Sequence, residues 1–489
     1  METNQLGNSE QSYQGFFKNK ITEVESFYNE LIRKNLVNEE LRRYYYDYIA
    51  NQLRTFIPLG QRVLDLGCGN GFFLNSVSPS VGVGIDISQE MVNLAQKRYP
   101  HLTFKKGLLE EIDLPEQKFD YILMLQVVGE VTELVSAFTH VHKFCNPRTR
   151  LVMVHYNYMW ENLVKFAAIL RLTYKPFYQN WISATTFENI LSLGGFELVR
   201  LSRRMLCPFK IPILGRLLNN FIAKLPLINL FCLFEFFYCR PVFPPQNVKN
   251  LKVSVVVPCK NEESNIRQII KRVPQMGKGT ELIFVDDQST DSTKVVIERE
   301  IVAHPQKTIK LVSGPGMGKG AAVRKGFSAA EGDIFMILDA DMSVMPENLA
   351  LFFDAIISGK GEFINGTRLI YPLGEGAMRF LNIFGNKAFS IVFSFLLDIE
   401  ITDTLCGTKV LWRDDYQNVI SCREYFGNVD HWGDYDWIFG AAMRGLKIIE
   451  LPVHYVERIS GETKMKRRFR HGLVMLRMCY LAFRKIKFR

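Results

Sequence analysis

The sequence predicts an α/β protein of two domains, a Rossmann-like, doubly wound sheet followed by a second α/β sheet. Three observations carry this reading. The chain runs to 489 residues, about three times a typical domain. Apolar residues make up 47% and charged residues 22%, a balance that supports packed cores and excludes wholesale disorder. Short β-rich runs alternate with helical ones twice over, from Val63 to about Arg200 and again from Leu251.

Residues 20–56 carry the spacing of amphipathic helices and stop at Gly60. The first alternating series places strands at Arg62–Leu66, Val81–Asp86, Leu102–Lys105, Tyr121–Leu125 and Leu151–His155, within a domain spanning 1–204. Residues 205–248 are apolar and punctuated by Pro241, Pro244 and Pro245, and read as a connector. The second series, within 249–463, places strands at Val253–Val257, Leu282–Val285, Ile309–Val312, Ile334–Leu338 and Glu362–Asn365. Residues 464–489 read as a basic amphipathic helix. Arg470, Arg477 and Arg484 recur at seven-residue spacing, with Leu473, Leu476, Tyr480 and Phe483 as its apolar face.

Lys and Arg outnumber Asp and Glu by 60 to 50, and ten basic residues with no acidic one lie between Lys464 and Arg489. The rest of the chain is therefore neutral, and the expected partner of the tail is an anionic membrane surface. No recognition motif accompanies the charge, so no nucleic acid is expected. The most apolar stretches, Leu225–Cys239 and Ala388–Leu397, fall short of the roughly 20 residues a spanning helix needs. Nine irregularly spaced cysteines form neither a disulfide framework nor a zinc set, and Met1–Ser12 has no apolar leader core. The expected location is cytoplasmic, peripheral on the inner face of the membrane.

Val63-Leu-Asp-Leu-Gly-Cys-Gly-Asn-Gly71 is an apolar strand entering a Gly-rich turn, where a ligand can approach the backbone closely. A second strand ends in Asp86, nineteen residues after Gly67, placing a carboxylate that can accept from two ribose hydroxyls. This pairing resembles the class I S-adenosylmethionine-dependent methyltransferases. The resemblance implies that Asp65, Gly67 and Gly69 face the methionine part of S-adenosylmethionine and that Asp86 holds its ribose. Gln126, ending a strand similar to the family's fourth, would lie beside the ligand. Here Gly107 is followed by Leu108, where many members carry an acid for the adenine amine, leaving Glu110 and Glu111 as candidates. His155, Tyr156 and Asn157 are the candidate acceptor-side groups, because methyl transfer needs mainly alignment and, for a neutral acceptor, a base.

Ile334-Phe-Met-Ile-Leu-Asp-Ala-Asp341 is an apolar strand ending in two acids. Alternation puts Asp339 and Asp341 on one side, where they can share a hard cation, Mg²⁺ or Mn²⁺, bridging to a diphosphate. Ser254-Val-Val-Val-Pro-Cys-Lys-Asn-Glu262 and Leu282-Ile-Phe-Val-Asp-Asp-Gln-Ser-Thr-Asp291 precede it. Only one of Asp286 and Asp287 should face the site. Gly314-Pro-Gly-Met-Gly-Lys-Gly320 lacks P-loop spacing.

In this order, with Gly318-Lys-Gly-Ala, Asn365-Gly-Thr-Arg368, Asp403-Thr-Leu-Cys-Gly-Thr-Lys409 and Arg458-Ile-Ser-Gly-Glu-Thr-Lys464, the motifs resemble family-2 glycosyltransferases of GT-A fold. The similarity is to the polyprenyl-phosphate (dolichol-phosphate mannose synthase-like) branch. It implies that Pro258, Glu262, Asp287, Lys319 and Asp339 bind a nucleotide-diphosphate sugar. Asp339 and Asp341 would hold the metal, while Arg368, Arg458 and Lys464 would contact phosphates of donor and polyprenyl-phosphate acceptor. Ser343 stands where the branch often has a Gln ligand. The layout implies a bifunctional glycosyltransferase and methyltransferase. One alternative is transfer to a hydroxyl with Asp434 or Asp436 as catalytic base and a silent methyltransferase. Another is a non-enzymatic membrane-associated assembly protein.

Overall fold

The structure is a computed structural model that describes residues 21–30, 32, 39–112, 114, 117–169, 180–243, 250–371, 380–423, 433–455 and 468–487. Backbone contacts divide the chain at Phe243/Pro244 into two units, each with its own sheet.

In the first unit a long helix, Glu39–Phe56, precedes β1 (Arg62–Leu66), β2 (Val81–Asp86), β3 (Thr103–Lys106), β4 (Tyr121–Leu125) and β5 (Arg150–Tyr156). Then come β6 (Phe196–Arg204) and β7 (Phe234–Pro241). The sheet order is β3-β2-β1-β4-β5-β7-β6. β1 to β5 are parallel, and β7 runs antiparallel between β5 and β6. Strand order reverses between β1 and β4, so the crevice beyond their carboxyl ends is the natural ligand site. The second unit repeats the plan with β8 (Lys252–Cys259), β9 (Gly279–Asp286), β10 (Thr308–Ser313), β11 (Ile334–Ile337), β12 (Phe363–Thr367), β13 (Lys409–Trp412) and β14 (Ile448–Pro452). Its order is β10-β9-β8-β11-β13-β12-β14, and β13 is antiparallel to both neighbours. Here the order reverses between β8 and β11.

The expected connector over 205–248 is corrected by this fold. Its residues 234–241 form β7, an inner strand of the first sheet with every residue buried. A strand covered on both faces shows no alternation, so its apolar run with Pro241 at the end imitates a linker. Polar residues on β6 and β7 meet across the register: Arg240 pairs with Glu197 at 2.6 Å and Arg203 with Glu235 at 2.8 Å. The guanidinium of Arg200 lies 4.1 Å from the ring centroids of both Phe56 and Tyr238, fastening the first long helix to β7.

Phe237 on β7 packs in the first core against Phe187. Phe237→Ala should therefore destabilise the first unit by about 3–5 kcal/mol. Urea unfolding of the full chain measures it, and a change below about 0.5 kcal/mol, as expected for a surface site, would mean this strand is not core.

Candidate functional sites

At the end of β1 the backbone turns through Gly67 (φ 73°), Gly69 (φ 50°) and Gly71 (φ 78°), a left-handed region that favours glycine. A Cβ on Gly67 would stand 2.6 Å from Val127. Asp86, at the end of β2, accepts from the N–H of Gly69 at 2.8 Å and of Ser88 at 2.9 Å. Its carboxylate therefore shapes the turn, and its remaining lone pairs can still take a ribose hydroxyl. Gln126 directly follows β4 with φ 62°, and its amide donates to the Tyr156 hydroxyl at 3.4 Å.

Asp65 is the exception. It is buried and neither carboxylate oxygen has a partner. Burial, with the nearby charge of Asp86 added, pushes its carboxyl up to about 8. An orphaned buried carboxyl at a glycine turn suits a ligand that brings a cationic N–H donor, and S-adenosylmethionine carries an ammonium beside its sulfonium.

No motif in the sequence announces the strap across these strand ends. Tyr28, in the helix over residues 21–30, donates to Glu130; Ser88 donates to Asn29 at 2.7 Å; Lys106 pairs with Glu25. Burial pushes Glu130 up to about 7 against the opposing effect of Tyr28. These contacts join residues up to 102 positions apart, so no local pattern encodes them. Of the acids considered for the adenine amine, Glu110 accepts from the Thr132 hydroxyl at 2.7 Å and Glu111 is exposed.

On the acceptor side, burial lowers His155 to about 4, so it is neutral at pH 7 and fit to accept a proton only in acid. Asn157 is a clamp: its amide donates to the carbonyls of Leu230 and Cys232. A cavity of about 670 Å³ lies nearby, lined by Thr132, Tyr158, Asn180, Trp181 and Thr186.

In the second unit Glu262 is buried at the turn after β8, receiving the Asn265 amide at 2.9 Å. Asp287 accepts from the N–H groups of Gly316 at 2.7 Å and Gly318 at 3.1 Å, and Asp286 accepts from Ser289 at 3.3 Å. Asp287 thus holds the glycine loop that launches the helix Lys319–Ser328. That helix delivers the Lys319 ammonium to 2.7 Å from Asp339, just past β11. Burial disfavours the Lys319 charge, but Asp339, Asp434 and Asp341 outweigh it and raise the group above the ordinary lysine range. Burial likewise opposes ionisation of Asp339, and Lys319, helped by Lys409 and Arg368, leaves it lowered. A Cβ on Gly407 would stand 1.9 Å from Asp339, so only glycine lets that loop close over the acid.

Asp341 accepts from the Ser343 N–H at 3.1 Å. Asp339 and Asp341 offer two hard carboxylates of the kind that would suit Mg²⁺ or Mn²⁺ with diphosphate and water completing the shell. The donor set fits such an ion, and in this structure Lys319 is the cation on Asp339. Among the described residues no cluster of three or more His, Cys, Asp or Glu forms a closed metal cage.

Three of the expected site residues have ionic partners within the protein. Arg368, partly buried, binds the fully buried Asp403 through two nitrogens, at 2.7 and 2.8 Å. Asp434 pairs with Lys409 at 2.7 Å and Asp436 with Arg423 at 2.9 Å, at the start of the buried helix Asp434–Met443. In this structure the guanidinium bonds to a carboxylate, and each candidate base faces a cation. Pro258 lies at the end of β8, while Arg458 and Lys464 lie outside the described residues.

Comparison with known proteins divides the chain in the same place. Residues 37–201 match a methyltransferase domain family and residues 254–420 match glycosyl transferase family 2. A dolichol-phosphate mannosyltransferase of Saccharomyces cerevisiae is 35% identical over 26% of this chain and 48% of its own. An undecaprenyl-phosphate 4-deoxy-4-formamido-L-arabinose transferase of Aeromonas hydrophila is 32% identical over 43% of this chain and 62% of its own. The chain thus spans less than two thirds of either relative. Among solved structures, an S-adenosylmethionine dependent methyltransferase from Mesorhizobium loti is 20% identical, covering 40% of this chain and 97% of its own, with a TM-score of 0.31.

A cation docking on Asp65 must ionise it. At pH 7, S-adenosylmethionine should therefore bind with release of up to one proton, seen as a calorimetric enthalpy that varies with buffer. In the free protein a carboxyl raised from 3.8 to about 8 costs stability increasingly as pH rises through that window. Asp65→Asn should accordingly raise the melting temperature more at pH 8 than at pH 5, while weakening S-adenosylmethionine at least about tenfold. Equal melting shifts at the two pH values would contradict the assignment.

Proposed function

The chain joins a methyltransferase domain to a family 2 glycosyl transferase domain, and from this premise we propose a bifunctional membrane-surface enzyme. The second unit transfers a sugar from a nucleotide diphosphate to a polyprenyl phosphate at the cytoplasmic face. The first transfers a methyl group from S-adenosylmethionine to an acceptor of the same glycan or lipid.

One observation carries the choice of acceptor. A hydroxyl needs a general base, whereas a phosphate monoester is already an anionic nucleophile near neutral pH. The acids available for that task, Asp434 and Asp436, are buried and ion-paired with Lys409 and Arg423. An acceptor that requires no base is the one this site serves. The phosphate oxygen attacks the anomeric carbon, the bond to the nucleotide diphosphate breaks, and the leaving group departs as an anion. Lys319, beside Asp339 at the strand end, is placed to neutralise phosphate charge as it develops. A divalent ion held by Asp339 and Asp341 would add Lewis-acid stabilisation of that diphosphate. Asp287 and Glu262, by fixing the glycine loop and the β8 turn, shape the nucleoside side.

Membrane contact is supported by two helices of the second unit, Phe380–Leu397 and Arg468–Ala482, which pack against each other. They leave Phe384, Ile391, Leu473, Leu476 and Tyr480 exposed. Arg477 and Arg484 are exposed too, giving an apolar face with cations. No described helix is long and apolar enough to cross a membrane.

Asp339→Ala or Asp341→Ala should reduce sugar transfer from UDP- or GDP-sugars into membrane lipid extract by at least about a hundredfold. Radiolabel in the organic phase measures it, and full activity of either variant would sink the reading. Arg477→Glu with Arg484→Glu should weaken binding to anionic vesicles and flatten its salt dependence, by about 1 kcal/mol for each charge lost.

A further inference from the structure

The chain between β6 and β7, residues 205–233, is built inside out for a segment in water. Two of its asparagines are turned to groups of the fold. Asn219 accepts from the N–H groups of Leu206 and Cys207 and donates to the Cys207 carbonyl and the Tyr44 hydroxyl. The Asn229 amide donates to the carbonyls of Arg203 and Ala223. From the neighbouring element, Asn157 and the Trp160 indole clamp the carbonyls of Leu230, Cys232 and Phe231.

Many of its apolar side chains face outward, although Met205, Ala223 and Cys232 are buried. Ile213 is 84% exposed, Leu227 78% and Phe209 69%, with Leu217, Phe221 and Phe231 also exposed. Ile213 is the centre of a three-residue turn closed by the Leu214 N–H on the Pro212 carbonyl at 2.6 Å, with φ 61° and ψ −59°. A β-branched residue is strained there, so the turn that displays Ile213 is held by its surroundings and not by preference. So many exposed large apolar side chains in one short segment are unusual on a protein face meeting only water.

Charge decides the occupant. Lys210 and Arg216 are exposed among these residues, and no Asp or Glu occurs between Arg204 and Phe234. A second copy docking on the same face would oppose like charges, and the outward positions 209, 213, 217, 221, 227 and 231 carry no hydrogen-bonding side chain to orient a protein partner. A bilayer with anionic headgroups supplies both things the surface lacks, a non-directional apolar phase and negative charge. The placement agrees. β6 runs parallel to β5, so the segment leaves the sheet at the edge where β1, β2 and β4 present the candidate donor site. Leu163 and Phe166, which follow β5 at that edge, are exposed as well.

We propose that residues 209–231 dock the first unit onto an anionic lipid surface, with Ile213, Leu227 and Phe209 entering the interfacial layer and Lys210 and Arg216 meeting phosphate headgroups. This contact is separate from the C-terminal helix and requires neither transfer reaction.

The test is hydrogen exchange of the full-length protein with and without phosphatidylcholine vesicles containing phosphatidylglycerol. Peptides covering 209–231 should exchange about tenfold more slowly on vesicles, and Ile213→Glu with Leu227→Glu should remove that protection and lower vesicle partitioning about tenfold. Both side chains are exposed, and an unchanged near-ultraviolet circular dichroism spectrum confirms the fold of the variant. Two results would overturn the proposal. One is protection confined to the C-terminal helix, with 209–231 exchanging as in free protein. The other is a vesicle-free dimer that the same double variant dissociates, which would assign the face to a second copy.

Discussion

A carboxylate buried at the end of a strand must find backbone N–H groups, a cation, a proton or a ligand, and both units are arranged around that need. Asp86 and Asp287, each at the end of the second strand of its sheet, take N–H groups from the glycine turn beside them. Asp339, just past β11, takes Lys319, and two buried acids away from the strand ends, Asp403 in a loop and Asp434 at a helix start, take Arg368 and Lys409. Asp65 alone in this set takes none, and its carboxyl answers by holding its proton. The solved carboxylates fix the loops, and the unsolved one marks where a ligand is expected.

Satisfying so many acids in a small volume requires close approach, and that is where glycine matters. Gly407 brings its loop onto Asp339, and a Cβ on Gly433 would stand 3.0 Å from the Gly320 backbone at the start of the facing helix. The same approach gathers Lys319, Asp339, Asp341 and Asp434 into one electrostatic cluster. Bound phosphates would enter a field already organised by this cluster, so little reorientation is needed as charge develops.

Most of both sites was legible in the sequence because the signals are local. A strand, a turn and an acid within a few residues of one another reveal Asp65, Gly67, Gly69, Asp86, Asp287, Asp339 and Asp341, and the fold places each at a strand end near its sheet's reversal. The partners of those acids were not legible. Arg368 and Asp403 lie 35 positions apart, Lys409 and Asp434 lie 25, and Tyr28 and Glu130 lie 102. A lone Arg in Asn365-Gly-Thr-Arg368 looks like a phosphate ligand until a carboxylate from a distant loop occupies it.

The sequence by itself determined the two α/β series, the glycine turns, the acids at the strand ends and the basic C-terminus, since each is written in a window of a few residues. The tertiary structure decided three other things. It made residues 234–241 an inner strand, because burial on both faces erases the alternation that announces a strand. It turned 205–233 into an outward apolar surface, because only the fold shows which side of Asn219 and Asn229 is anchored. It tied the candidate bases to cations, because ion pairing depends on distance in space, and distance along the chain does not report it.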